Sequence, residues 1–229
     1  YNADFDGDTM ALYVPVTKEA QDEAKDRLIT TSGSSNLGSV NFVLKNEVFT
    51  GLFTLTSEDK NNTPKIIRSL EEADELHPGD KVKVRFKGQD RITTAGRIIF
   101  NASLPMWFEF VDTEIDKGKV GIILSQISKR DKGDYVQTID KLMKLGFKIA
   151  TKYPRTISMD MLNIPPNLMK LKEDLAKEKD LMKQLDIIKE MEIQLLIHLK
   201  KNEPHLYQII GSGASKGHTQ LRQLMIAKG

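Results

Sequence analysis

From Lys81 to Phe86 charged and apolar residues alternate strictly, Lys-Val-Lys-Val-Arg-Phe. A period of two predicts a β-strand with Val82, Val84 and Phe86 on the buried side and three cations on the other. Those cations read first as a solvated face, with contact to phosphate as the alternative. Ahead of the strand, His77-Pro78-Gly79-Asp80 predicts a turn, and Ser69 to Leu76 predicts a short acidic helix. Nearer the start, the apolar, β-prone run Met10 to Val16 predicts another strand. Thr17 then suits the N-cap of a helix from Lys18 to about Leu28, with Ala20, Ala24 and Leu28 four apart on its inner face. The run from Thr30 to Asn36 is a loop by composition, and Ser57 to Thr63 is polar and turn-like. Between them, Phe42 to Thr56 is mostly apolar, with Val48-Phe49 and Leu52 to Thr56 as buried contacts.

Further on, Thr93 to Asn101 reads as a strand entering a turn, with no task assigned to Arg97, and Gly121 to Leu124 is a short apolar run. Asp134 to Leu145 predicts a helix carrying Ile139, Leu142 and Met143 on one face, with Gly146 as its C-cap. The stretch from Tyr153-Pro154 to Pro165-Pro166 is bounded by prolines and irregular. From Asn167 to Asn202 neither glycine nor proline interrupts about ten helical turns. Leu168, Leu171, Leu175, Met182 and Leu185 recur at three- and four-residue steps, and Leu195 and Leu199 resume them beyond charged Glu178-Lys179-Asp180. That pattern predicts one long helix or an antiparallel pair turning at the charged break. The tail closes with the glycine-rich turn Gly211 to Gly217 and then Gln220 to Met225, without the spacing of a P-loop.

Composition narrows the class without naming it. The chain has 229 residues, 39% hydrophobic and 29% charged, which is ordinary for a folded domain. No apolar run is long enough to cross a bilayer, so no membrane partner is expected, and no signal-peptide pattern opens the chain. The absence of cysteine excludes a disulfide framework and a thiolate zinc site, and fits a cytoplasmic setting. The four histidines are scattered without metal-ligand spacing. A net charge of +2 gives no global basicity, so contact with phosphate would come from local arrangement. The chain opens on tyrosine beside its most informative motif, and is expected to be a segment of something longer.

The motif is Tyr1-Asn2-Ala3-Asp4-Phe5-Asp6-Gly7-Asp8-Thr9-Met10. Three aspartates within five positions repel one another unless a cation compensates them, and a hard divalent ion with oxygen ligands, Mg²⁺ or Mn²⁺, does so. An extended segment puts all three carboxylates on one face, and a turn at Gly7 wraps them around one point. The plainer reading is a solvated acidic turn. A calcium loop begun at Asp4 would need glycine and glutamate where Thr9 and Pro15 stand, so that reading fails. The nucleophile loop of haloacid-dehalogenase-type phosphatases has threonine where this chain has Asp8, and fits poorly.

The string Asn2-Ala3-Asp4-Phe5-Asp6-Gly7-Asp8 resembles the catalytic loop of the largest (beta-prime) subunit of multisubunit DNA-dependent RNA polymerases. Further segments resemble the same family in the same order. They are Val14 to Ala24, Gly51-Leu52-Phe53-Thr54-Leu55-Thr56, Thr93 to Asn101 with Leu104-Pro105, and the tail with Gln220-Leu221-Arg222-Gln223-Leu224. The tail departs in carrying Ser215-Lys216 where the family has one arginine. The family's bridge helix, trigger loop and upstream clamp find no counterpart in this sequence, and its helical arm is shorter than in cellular enzymes. A split, phage-type subunit or a fragment is therefore expected.

The resemblance implies an α+β fold. Part of a double-psi β-barrel catalytic core would occupy residues 1–110, followed by a mixed pore and funnel segment over 111–166. A long helix or helical hairpin forming a funnel-like arm would occupy 167–203, and the glycine-rich loop leading toward a bridge helix 204–229. It also implies nucleotidyl transfer, with Asp4, Asp6 and Asp8 as catalytic and metal-binding residues and Asn2 reading the ribose of the substrate. One Mg²⁺ would be bound by the aspartates and a second would arrive with the nucleoside triphosphate. The implied partners are a beta-like subunit and the remaining beta-prime pieces, a DNA template, an RNA transcript and nucleoside triphosphates. The setting would be the cytoplasm, of a host if the source is viral. The rival readings are a non-catalytic assembly piece of such a complex and a metal-dependent phosphatase.

Overall fold

The computed structural model describes residues 5–27, 44–58, 63–214 and 220–226. Its first helix, α1 (Lys18–Arg27), is capped by Thr17, whose hydroxyl accepts from the Ala20 N–H at 3.2 Å. The apolar stretch beyond forms helix α2 (Asn46–Thr56), which buries Val48, Phe49, Leu52, Phe53 and Leu55. Against it lies the long helix α6 (Lys132–Lys152). The two backbones come together at Gly51 and Gly146. A Cβ on Gly51 would collide with the Gly146 carbonyl, and one on Gly146 would stand 2.8 Å from the Val48 carbonyl oxygen. Gly146 is thus an interior residue and not the expected C-cap. The helix runs on to Lys152 because a missing side chain is what this crossing requires.

Three strands form one small sheet in the order β1–β2–β3. β1 (Lys65–Ile66) runs parallel to β2 (Lys81–Phe86), which pairs antiparallel with β3 (Gln89–Thr94). Val82 and Val84 are buried as the alternation predicts, and Lys83 faces Ile92 across the outer side. Lys87 and Gly88, both at positive φ, make the two-residue turn between β2 and β3. Short helix α3 (Leu70–Glu75) is capped by Ser69, which accepts from the Glu72 N–H. The residues from Thr93 are not a strand running into a turn. β3 ends at Thr94, whose hydroxyl accepts from the Arg97 N–H at 3.3 Å and starts helix α4 (Ala95–Ala102). A side-chain cap outweighed the β-branched run Ile98-Ile99, which buries Ile98 from a helix.

Helix α5 (Lys117–Arg130) absorbs the short apolar run at Gly121. Asp131 separates it from α6 and caps α6 by accepting from the Asp134 N–H at 2.7 Å. Helices α2, α5 and α6 share one core, in which Leu52, Leu55, Phe100, Ile115, Tyr135 and Leu142 are fully covered. A second core joins α7 (Pro166–Lys177), α8 (Leu181–Asn202) and α9 (Pro204–Gly211) through Leu168, Met191, Leu195, Leu199, Leu206 and Ile210. The chain turns at Glu178–Asp180, and Asn167 near the start of α7 bonds Gln194 far along α8, so the pair is antiparallel. A third, smaller core lies under the sheet.

The architecture is α+β, mostly helical with a small sheet. Met10 to Val16 is not the expected strand: it has no secondary structure, and Leu12 and Val16 are 91% and 86% exposed. A strand needs a neighbour to take its N–H and C=O groups, and none lies beside this run among the described residues. No described helix is long and apolar enough to cross a membrane.

Candidate metal centre

Asp6 and Asp8 flank Gly7 at a bend spanning residues 5–7. Gly7 has φ +119°, a conformation side chains rarely tolerate, and open space surrounds the position a Cβ would take. Both carboxylates are exposed, as is the Phe5 ring beside them. Asn2 and Asp4 lie outside the described residues. The structure therefore brings two of the four expected site residues into one bend. No group of three acidic or histidine side chains placed to hold a metal occurs among the described residues. The donor set still fits a hard ion. Carboxylate oxygens are the ligands Mg²⁺ prefers, and exposure leaves room for water and substrate in the remaining positions.

A second polar cluster was not assigned by sequence reasoning. Arg97 is 9% exposed, and its Nε donates to the Thr56 carbonyl at 3.0 Å, at the end of α2. Its Nη1 meets Asp112 at 3.1 Å, and the Glu58 carboxylate lies between it and the Lys81 ammonium, 2.9 Å from the latter. The Thr93 hydroxyl donates to Asp112, and the Thr56 hydroxyl accepts from the Ile115 N–H at 2.8 Å. Glu58, Lys81, Thr93, Arg97 and Asp112 line a cleft of about 170 Å³ beside β3. Two cations face two anions in it, so it binds itself together and has no net charge to offer a ligand. The signal was present as an arginine three residues after a threonine N-cap, but its partners lie 15 and 41 residues away in sequence.

Comparison with known proteins gives these features a context. Residues 1–30, which contain the acidic loop and all of α1, match the family model of RNA polymerase Rpb1, domain 2. A DNA-directed RNA polymerase subunit beta' from Sulfurihydrogenibium sp. is 38% identical over 189 residues, covering 78% of this chain and 12% of that protein. The subunit beta' of Borreliella afzelii is 29% identical and covers the whole chain and 19% of its own length. That of Treponema pallidum is 31% identical over 78% of the chain and 14% of its length. The chain thus spans between about an eighth and a fifth of the relatives it matches. Its sequence is similar to theirs well beyond the acidic loop, through both helical cores. The chain belongs to the family of beta' subunits of DNA-directed RNA polymerase.

Proposed function

We infer that this chain carries part of the catalytic core of a DNA-directed RNA polymerase and contributes the loop that holds its magnesium. The observation that carries this reading is the Asp4-x-Asp6-x-Asp8 triad, lying inside the segment that matches the family model and built around a glycine at positive φ. Asp4, Asp6 and Asp8 would hold the ion through carboxylate oxygens, and Asn2 would hydrogen-bond the ribose of the incoming nucleotide. Magnesium held there would supply Lewis-acid activation of the RNA 3′-hydroxyl and charge stabilisation in nucleotidyl transfer, and a second ion would come with the nucleoside triphosphate. Three carboxylates within five positions would favour a small, hard cation. No side-chain general base is needed at this loop.

The exposed apolar run Met10 to Val16 supports a larger assembly. Bare Leu12, Tyr13, Val14 and Val16 lose free energy to water unless a neighbour covers them. On this reading they complete a double-psi β-barrel over residues 1–110, with strands supplied by the remainder of the polymerase. Residues 111–166 form the pore and funnel segment, the α7–α8 pair over 167–203 the funnel-like arm, and 204–229 the loop toward the bridge helix. A beta-like subunit, template DNA, transcript and nucleoside triphosphates are the partners, in the cytoplasm.

Replacing Asp6 by Ala tests this in the assembled enzyme. RNA synthesis falls roughly 10⁴-fold or more, the scale seen when one member of a cooperating catalytic group is removed. Assembly, followed by size-exclusion chromatography, is unchanged because Asp6 is exposed. Normal elongation by the Asp6→Ala enzyme refutes the reading.

A further inference from the structure

We propose that Arg155 is an anion-binding residue that takes a phosphate group from a nucleotide or a nucleic-acid strand. It lies in the extended segment between α6 and the 3₁₀ turn Met159–Leu162. Its side chain is partly buried, and its Nε is shut off from solvent yet donates to nothing. No carboxylate forms an ion pair with it among the described residues. Burial alone pushes its pKa down, with no opposing charge acting to restore it.

The other arginines with described side chains are provided for. Arg97 has a carbonyl and carboxylates. Arg130 lies 4.2 Å over the Trp107 ring. Arg91 also has an unbonded Nε, but its guanidinium stacks 4.5 Å over Phe110 and bonds Gln89. Arg68 and Arg85 stand in water. Only Arg155 among these combines desolvation with the lack of a ring, an acid or a carbonyl. Withdrawing part of a cation from water without a partner is costly, and an oxyanion hydrogen-bonded to the guanidinium offsets that cost.

The local sequence suits an oxyanion. Thr156 and Ser158, one and three positions along the chain from Arg155, are exposed, and Ser158 heads the 3₁₀ turn without its hydroxyl capping it. Lys152, three positions before Arg155 in the last turn of α6, is a second cation in the same stretch of chain. Phosphate is chosen over carboxylate because the proposed function surrounds the chain with triphosphates and nucleic-acid backbone, and the inference rests on that reading to this extent.

The Nε–Hε signal of Arg155 in the full chain reads this directly by NMR, assigned by its loss in Arg155→Lys, whose amide spectrum checks that the fold is kept. Inorganic tripolyphosphate is titrated first, then an oligoribonucleotide without terminal phosphates, then a glutamate-rich peptide. A saturable shift of this signal with tripolyphosphate or the oligoribonucleotide, accompanied by shifts of the Thr156 and Ser158 backbone amides that weaken about tenfold or more in Arg155→Ala, is the expected result. Response to tripolyphosphate alone names the nucleotide as the source, and response to the oligoribonucleotide names the strand. No saturable response to either, an equal response of the Thr156 and Ser158 amides in Arg155→Ala, or tighter binding of the peptide overturns the proposal. Loss of RNA synthesis in Asp6→Ala is independent of this signal, so the two readings fail separately.

Discussion

At the contact between α2 and α6, Gly51 and Gly146 bring two backbones closer than any side chain allows. Gly51→Ala must move one helix, at a cost of about 1–3 kcal/mol as in other overpacked cores. Gly121 sits on the exposed side of α5 with nothing within 4 Å of a Cβ, so Gly121→Ala gains about 0.5–1 kcal/mol from helix propensity. Urea unfolding of both variants checks the pair, and the sign must differ between them. Sequence reasoning treated Gly146 as a helix terminator, because glycine near the end of an apolar pattern usually is one. It could not see that the residue opposite was another glycine 95 positions earlier. Arg97 teaches the same lesson from the polar side. The segment was read as a strand entering a turn, and the Thr94 cap and the bonds of Arg97 to Thr56 and Asp112 exist only once the chain has folded.

Among elements, those with a strong period were legible. The alternation at β2, the Thr17 cap of α1 and the Ser69 cap of α3 are local chemistry and appear where the residues place them. The arm offered two solutions, and the turn between α7 and α8 shows how the second is held. The Glu178 carboxylate accepts from the Asp180 and Lys179 N–H groups at 3.0 and 2.9 Å, and Asp180 in turn caps α8 through Met182 at 2.8 Å. The Asp180 bond, then the Lys179 bond, holds the Glu178 pKa below its usual value. Because the folded pKa lies below the unfolded one, the stabilisation is complete above the ordinary carboxylate range. It is lost as pH falls through the lowered value. The amide shifts of Lys179 and Asp180 should titrate together with a midpoint below that of a free glutamate, and stay flat in Glu178→Gln.

For the whole molecule, the uncovered run Met10 to Val16 sets the expectation. Its amides exchange with solvent as fast as those of an unfolded peptide in the chain alone, and gain at least about a hundredfold protection in the assembled polymerase, where a neighbour pairs the strand. Hydrogen exchange with and without the partner subunits measures this, and unprotected amides in the complex remove the barrel from the account.

The sequence by itself determined the charge spacing of the acidic loop, the family, and the positions of α1, α3, β2, α6 and the α7–α8 arm, because charge spacing, caps and hydrophobic period act over a few residues. Tertiary structure decided where helices touch, which glycines are packed, and what Arg97 and Arg155 meet. Those depend on groups distant in the chain that only folding brings into range. Met10 to Val16 has the composition of a strand but forms none, since a strand is defined by its neighbour as much as by its own residues.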